Sequence, residues 1–75
     1  MTFKELKDIV VDIMGMPEDE VEQSSHLYDD LDADSLDMSQ IILAVENSFN
    51  VEVEQEDISK FQTINDIIEH VNSLV

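Results

Sequence analysis

The pattern of hydrophobic and polar positions predicts a helix at the start of the chain. Thr2 and Glu5 have the spacing of a capping box. Gly15, followed by Pro17, is a typical helix end. Between these signals, hydrophobic residues recur at the spacing of one helix face: Phe3, Leu6, Ile9, Val10, Ile13 and Met14.

The periodicity is lost from residue 16 to about residue 33. This stretch holds two acidic runs, EDEVE and DDLDAD, with Val21, Leu27, Tyr28 and Leu31 scattered among them. A segment of this length without regular structure is unusual in a compact domain. We expect a long loop that these four residues hold against the core.

A second helix is predicted from Ser35 to Phe49. Asp34 suits the N-cap, Asp37 places a negative charge in the first turn, and Asn50 suits a left-handed C-cap. At 100° per residue, one stripe forms the face expected to enter the core: Met38, Ile41, Ile42, Val45 and Phe49. Leu36 and Leu43 fall roughly opposite this stripe, which makes a small hydrophobic strip on the exposed side.

The remaining pattern predicts a short helix and a last long one. The segment EDISKF contributes Ile58 and Phe61 to the core. Thr63 and Asp66 form another capping box, and a stripe follows: Ile64, Ile67, Ile68, Val71 and Leu74. The segment VEVEQE alternates too briefly to predict a sheet. We therefore expect residues 1–75 to form a single all-α domain, a small helical bundle of three main helices and a short third one.

Composition and charge narrow the possible functions. The 75 residues are 43% hydrophobic, enough for a core, and carry 19 acidic residues against three lysines, a net charge of −16. Nucleic acids and anionic membranes are poor partners for such a surface, whereas proteins with basic patches would be attracted to it. Mutual repulsion of the carboxylates also predicts that salt or divalent cations stabilise the fold.

The sequence has no cysteine, so disulfides and thiolate zinc sites are excluded. No hydrophobic run is long enough for a membrane span, and the first residues lack the continuous hydrophobic stretch of a signal peptide. We expect a monomeric cytoplasmic protein.

The aspartates invite comparison with a calcium-binding loop. Asp30, Asp32 and Asp34 occupy positions 1, 3 and 5 of an EF-hand. Ser35 and Ile41 stand where the motif requires glycine and glutamate. We expect only diffuse cation binding and no specific metal site.

Catalysis by the chain's own side chains is not indicated. Ser35 lacks a glycine-elbow context, His26 lies in the loop, and His70 falls off the hydrophobic stripe of the last helix. A hydrolase needs a paired nucleophile and base with an oxyanion hole. We expect a solvated His70 and a protein that is not an enzyme.

Ser35 is better placed as an attachment point. At the first helical position its hydroxyl would face outward, and free backbone N–H groups there favour a phosphodiester. The surrounding aspartates repel a free anion, so a covalently tethered group fits better. Serine is also common at helix starts, so the residue taken alone could simply serve to begin the helix.

Leu36 and Leu43 beyond Ser35 suggest a docking surface with a hydrophobic centre and a charged rim.

The motif DLDADSLD followed by an amphipathic helix resembles the acyl carrier proteins, in which Asp-Ser-Leu begins the second helix. The resemblance extends over nearly the whole chain, through LDMSQIILAVENSFNVEV and TINDIIEHVNSL. It implies that a phosphopantetheinyl transferase attaches 4′-phosphopantetheine from coenzyme A to Ser35, and that the thiol of this group holds an acyl chain as a thioester. Asp34 would help to position the group and the metal of the transferase.

The resemblance also implies partners and an acyl cavity. Leu36, Asp37, Leu43 and Glu46 would face basic patches on the synthases, reductases, dehydratases and acyltransferases of fatty acid synthesis. The acyl chain would lie in a cavity between the helices, lined by residues that the resemblance places there: Ile41, Val45, Phe49 and Ile58.

The chain departs from the family pattern at three positions. Asp32 replaces the usual glycine, although aspartate tolerates left-handed conformations better than most residues. Gln40 and Asn47 replace acids, which removes two docking charges.

Two alternatives stay open. A carrier of polyketide, aminoacyl or D-alanyl groups would use the same attachment site with other partners. A cofactor-free acidic interaction module would bind basic proteins without any group on Ser35.

Overall fold

Four α-helices and one 3₁₀ turn make up the fold in the computed structural model, which describes residues 1–75. The helices are α1 (Phe3–Met14), α2 (Ser35–Phe49), α3 (Gln55–Ile58) and α4 (Ile64–Leu74), and the 3₁₀ turn is Glu18–Glu20. Helix α1 packs against both α2 and α4. The predicted all-α fold is confirmed. No helix has the length and hydrophobicity required to cross a bilayer.

Capping boxes begin all three long helices. Thr2 caps α1 with Glu5, Asp34 caps α2 with Asp37, and Thr63 caps α4 with Asp66. The first two helices end at left-handed residues, Gly15 with a φ of 67° and Asn50 with a φ of 54°. The predicted helix boundaries are confirmed at these positions. Each cap fixes the end of its helix, since it satisfies backbone groups that the helix itself leaves unpaired.

The core is one cluster of hydrophobic side chains from every part of the chain except α3 and the 3₁₀ turn. Helices α1, α2 and α4 supply ten of its members: Leu6, Val10, Met38, Ile41, Ile42, Val45, Ile64, Ile67, Ile68 and Val71. Phe49 and Ile58 are partly buried and pack against this cluster. Leu74, predicted as the last member of the α4 stripe, is 46% exposed, because it lies in the last turn, beyond the packed part of the helix.

The loop from residue 16 to residue 34 is more ordered than the sequence predicted. Its backbone pairs with the segment that leads into α4: Leu27 N–H donates to the Gln62 carbonyl at 2.7 Å, and Ile64 N–H donates to the Ser25 carbonyl at 3.1 Å. An isolated antiparallel bridge joins His26 and Thr63 between these two bonds. The loop is therefore fastened to the start of α4.

Three of the four predicted loop anchors are buried, and one is not. Val21, Leu27 and Leu31 are at most 5% exposed, as predicted. Tyr28 is 40% exposed, so its predicted role as a core anchor is wrong. Leu27 and Tyr28 both lie in the turn that follows the bridge residue His26, and this turn buries Leu27 and leaves Tyr28 at the surface.

The cap of α4 makes a pH-dependent contribution to stability. The pKa of the Asp66 carboxyl is lowered because its Oδ2 atom accepts N–H bonds from Gln62 at 2.9 Å and Thr63 at 3.0 Å. Because the pKa of Asp66 is lower in the folded protein than the ordinary value of about 3.9, its charged carboxylate stabilises the fold when the pH is above that ordinary value. This stabilisation is lost as the pH falls through the lower pKa of the folded state. We expect Asp66→Asn to lower the free energy of unfolding by about 1 kcal/mol at neutral pH, in the range of cap substitutions.

Urea unfolding at pH 7 and at about pH 3 measures this effect. The difference between wild type and Asp66→Asn should shrink at the lower pH. Glu69→Gln is the matched control, since Glu69 is an exposed acid on the same helix. An equal difference at both pH values would contradict a role for the Asp66 charge.

Few of the carboxylates have a cationic partner. Lys4 pairs with Asp8 at 3.2 Å and Lys7 with Glu18 at 3.5 Å, and these are the two lysine ion pairs. We therefore expect the thermal midpoint of unfolding to rise with NaCl concentration, because salt screens the remaining repulsion. Circular dichroism melts in NaCl and in MgCl₂ at equal ionic strength measure the effect, and a midpoint that falls with salt would contradict it.

Candidate functional site

The site is built around the start of α2. Asp34 Oδ1 accepts the N–H of Asp37 at 2.8 Å, and Asp37 Oδ2 accepts the N–H of Asp34 at 3.2 Å. This reciprocal pair fixes where the helix begins. Ser35 is therefore the first helical residue, and it is exposed.

Backbone donors are available beside the serine. The N–H groups of Ser35 and Leu36 have no acceptor within the chain, as expected for the first turn of a helix. Together with the positive end of the helix dipole, such groups favour a phosphate oxygen. A phosphodiester on the Ser35 hydroxyl therefore fits this position.

The turn before the site depends on a residue with positive φ. Asp32 has a φ of 59°, so it adopts the left-handed conformation that glycine would adopt more easily. Aspartate therefore adopts at this position the left-handed conformation that it tolerates better than most residues. The next residue, Ala33, is buried and donates its N–H to the Leu27 carbonyl at 3.0 Å. The turn thus closes onto the core directly before Asp34.

A groove of about 610 Å³ runs from Ser35 toward α3. Its hydrophobic lining comes from Met38 and Ile58, with Tyr28 as the aromatic member. The other lining residues are polar: Ser35, Ser39, Gln55, Glu56 and Ser59. A group attached to Ser35 would begin at the edge of this groove.

One of the four residues predicted to line an acyl cavity lies in this groove, namely Ile58. Ile41 and Val45 have no exposed surface and belong to the packed core. Phe49 is partly buried against that core. An acyl chain between Ile41, Val45 and Phe49 would therefore require α2 to separate from its neighbours, and this placement stays a prediction.

The strip predicted on the outer side of α2 is exposed. Leu36 is 65% exposed and Leu43 is 58% exposed, the highest values among the large hydrophobic residues apart from the C-terminal Val75. Gln40 and Asn47, which replace acids of the family pattern, are exposed on the same helix. This surface has the composition of a docking site with a hydrophobic centre.

The two acids predicted to help docking also hold the fold together. Asp37 belongs to the capping box of α2, and Glu46 Oε2 accepts the N–H of Val53 at 2.9 Å. Each is only partly exposed. The other carboxylate oxygen of each has no donor within the chain, so a partner would bind acids whose orientation is already fixed.

The aspartates that matched the calcium-loop positions have separate structural tasks. Asp30 Oδ2 accepts the N–H of His26 at 2.7 Å, Asp32 makes the left-handed turn, and Asp34 caps α2. No group of three or more His, Cys, Asp or Glu side chains is arranged to hold a metal ion.

Both histidine side chains interact with other groups of the fold. The ring of His70 lies edge-on to Phe61 at 5.3 Å between centroids, and its Nε2 is 3.7 Å from Asp57 Oδ2. The prediction of a solvated His70 was therefore wrong, since its side chain is only 24% exposed. Nδ1 of His26 accepts backbone N–H bonds from Tyr28 at 3.2 Å and Asp29 at 3.1 Å.

Sequence reasoning missed most of the groove. Tyr28 was assigned to the core, and the polar lining residues beyond Ser35 were given no role: Ser39, Gln55, Glu56 and Ser59. The sequence carries no signal that Tyr28 is exposed, because the hydrophobic residues nearest to it, Leu27 and Leu31, are both buried.

Comparison with known protein families gives one match that covers most of the chain. The family model described as "phosphopantetheine attachment site" matches residues 4–71. The matched region runs from α1 through the Ser35 turn to α4, and therefore contains every residue of the groove.

Proposed function

Because this chain belongs to the phosphopantetheine attachment family, we propose that it carries growing acyl chains as thioesters during fatty acid synthesis. Members of this family are carriers that a transferase modifies, and not enzymes. The cofactor is phosphopantetheine, and the partners include a phosphopantetheinyl transferase and the enzymes that use the carried group.

Ser35 is the proposed attachment residue. The observation that carries this assignment is its position: an exposed hydroxyl at the first residue of α2, beside two unpaired N–H groups and at the edge of the groove. Attachment joins the Ser35 oxygen to the phosphopantetheine phosphorus, breaks the pyrophosphate bond of coenzyme A and releases its adenosine 3′,5′-bisphosphate half. The N–H groups of the first turn stabilise the charge of the phosphodiester that results. Ser39 is the other serine of α2 in the groove, but its hydroxyl donates a hydrogen bond to the Ser35 carbonyl at 2.9 Å.

The attached group supplies a thiol, which the chain itself lacks, and this thiol is where a thioester forms. The protein contributes the position of the group and a surface for partners. Asp34 is proposed to orient the group and to bind the metal of the transferase. Its Oδ1 is used by the helix cap, which leaves Oδ2 for this contact.

Leu36, Asp37, Leu43 and Glu46 are the proposed docking residues. The two leucines supply hydrophobic contact area, and the two acids supply charges held in place by their own hydrogen bonds. A partner with basic residues around a hydrophobic pocket complements this surface, and the net charge of −16 would speed its approach at low salt.

Residues 1–75 are proposed to act as one carrier domain, as a monomer in the cytoplasm. The family match makes a carrier a better reading than the cofactor-free interaction module. It leaves polyketide, aminoacyl and D-alanyl carriers as alternatives. Fatty acid cargo is supported by the fit of the residues around ADSLD to the discrete acyl carrier proteins, and by the hydrophobic part of the groove.

Intact mass spectrometry tests the proposed attachment. Wild-type protein, shown to be folded and unmodified at the start, is incubated with coenzyme A and a phosphopantetheinyl transferase of broad specificity. We expect a mass gain of one phosphopantetheinyl group. A folded protein that gains no mass would contradict the proposal.

A second experiment tests the cargo. The modified protein is offered malonyl-coenzyme A with a malonyltransferase of fatty acid synthesis, and separately D-alanine with ATP and a D-alanyl ligase. We expect malonyl loading only. D-alanyl loading without malonyl loading would contradict the proposed fatty acid cargo and favour the D-alanyl alternative. The proposed attachment at Ser35 would not be affected by that result.

A further inference from the structure

One histidine organises the turn that precedes the attachment site. Nδ1 of His26 accepts the N–H groups of Tyr28 at 3.2 Å and Asp29 at 3.1 Å. The carbonyl of His26 accepts the N–H groups of Asp30 at 3.0 Å and Leu31 at 3.1 Å, and its own N–H donates to Asp30 Oδ2 at 2.7 Å. The turn from residue 26 to residue 31 is therefore closed around this residue.

The same turn carries Tyr28 into the groove that begins at Ser35. The rings of His26 and Tyr28 have centroids 6.1 Å apart and are tilted by 59°. Because the Tyr28 N–H is one of the two held by Nδ1, the backbone position of Tyr28 depends on that bond. The histidine thus acts on the groove through Tyr28 and does not line the groove itself.

We propose that His26 is a positioning residue for the Ser35 site: its neutral imidazole holds Tyr28 against the groove, and its protonation releases the turn. This inference rests on the proposed function of Ser35. It adds to that function a control of the site by pH.

The chemistry of imidazole gives the reason. A neutral imidazole has one nitrogen that accepts a hydrogen bond, whereas both nitrogens of the charged form are donors. Since Nδ1 accepts in this turn, the neutral proton is on Nε2. A proton added to Nδ1 would point at two N–H groups, so both bonds would be lost. The side chain is 31% exposed, which gives protons access to it.

Carboxylates around His26 would stabilise a second arrangement of the turn, in which the imidazole is charged. Asp29 Oδ2 lies 3.8 Å from Nδ1, and the Asp30 carboxylate lies against the His26 backbone. From the start of α4, Asp66 faces the same histidine: the pKa of Asp66 is lowered mainly by the N–H groups of Gln62 and Thr63, and a charged imidazole at His26 adds the smallest contribution. These three carboxylates would stabilise a charged imidazole that donates to Asp29 in place of accepting from the backbone. Histidine is the side chain that changes charge between pH 5 and pH 8.

NMR of the unmodified protein tests the proposal without any enzyme. Amide chemical shifts and exchange protection factors of Tyr28 and Asp29 are followed from about pH 8 to about pH 5.5. We expect both amides to shift and to lose protection in wild type as the pH falls. In His26→Asn the side-chain oxygen can accept the same N–H groups at every pH, so both amides should stay protected.

Matched variants separate this effect from general acid sensitivity. His70→Asn removes the other histidine, and the response of the two amides should remain. His26→Ser is a second variant with an oxygen acceptor, to be used if His26→Asn does not fold. Tyr28 and Asp29 amides that do not respond in wild type, or that respond equally in His26→Asn, would overturn the proposal.

Transfer of phosphopantetheine provides the functional measurement. Wild type and His26→Asn compete in one reaction, so that the pH dependence of the transferase cancels from the ratio of their kcat/KM values. We expect the kcat/KM of wild type divided by that of His26→Asn to be near one at about pH 8 and to fall several-fold at about pH 5.5. Modification of both proteins with a ratio that does not change with pH would overturn the positioning role alone. Absence of modification in both would instead contradict the function proposed for Ser35, and the NMR result would still decide the role of His26 in the turn.

Discussion

Replacing Ser35 with alanine is expected to abolish attachment of phosphopantetheine completely. The substitution removes the one hydroxyl that is exposed at the first position of α2, next to the free N–H groups of the first turn. Alanine is also a good helix former, and Asp34 and Asp37 continue to cap the helix, so the fold should be unchanged. Intact mass spectrometry after incubation with coenzyme A and a transferase measures the loss, and circular dichroism checks the fold.

Ser39→Ala is the matched control for this experiment. Ser39 lies one helical turn further along α2 and lines the same groove, but its hydroxyl donates to the Ser35 carbonyl. We expect Ser39→Ala to gain the same mass as wild type. Attachment that persists in Ser35→Ala and disappears in Ser39→Ala would move the site by one turn. Attachment that persists in both would place it at neither of these two serines.

Replacing Ile41 with alanine is expected to produce the largest loss of stability among substitutions in α2. Ile41 has no exposed surface, and its truncation leaves a cavity in the core cluster. Such substitutions cost about 2–5 kcal/mol, which is a large part of the total stability of about 5–15 kcal/mol that small domains have. Urea unfolding followed by circular dichroism measures the loss, and a change below about 1 kcal/mol would show that the core does not pack as described.

Leu43→Ala separates docking from stability on the same helix. Leu43 is 58% exposed, so its truncation should change the free energy of unfolding by no more than about 0.5 kcal/mol. If the outer side of α2 binds partners, the same variant should raise the KM of the transferase about tenfold, the effect of losing one good hydrophobic contact. A strong loss of stability without a change in KM would assign Leu43 to the core in place of the docking surface.

Local signals in the sequence predicted the helices well. Each long helix begins with a capping box formed by residues three apart, and Gly15 and Asn50 end the first two. Caps and helical periodicity are interactions between close neighbours in the chain, so they can be recognised without knowing the tertiary structure. The position of Ser35 at the first residue of α2 was predictable for the same reason.

Errors arose where distant segments meet. Tyr28 is exposed because residues 25–27 pair with the backbone at the start of α4. His70 is partly buried because α4 brings it against Phe61 and Asp57. Neither contact leaves a periodic pattern in the sequence, since both join residues that are brought together only by packing.

The sequence by itself thus determined the helices, their caps, the acidic surface and the serine at the start of α2. Only the tertiary structure decided the course of the loop, the groove between Ser35 and α3, and the hydrogen bonds that make His26 the centre of the turn. The physical reason is range. Capping and periodicity act over a few residues of one segment, whereas the groove and the loop depend on which buried side chains of separate segments pack together.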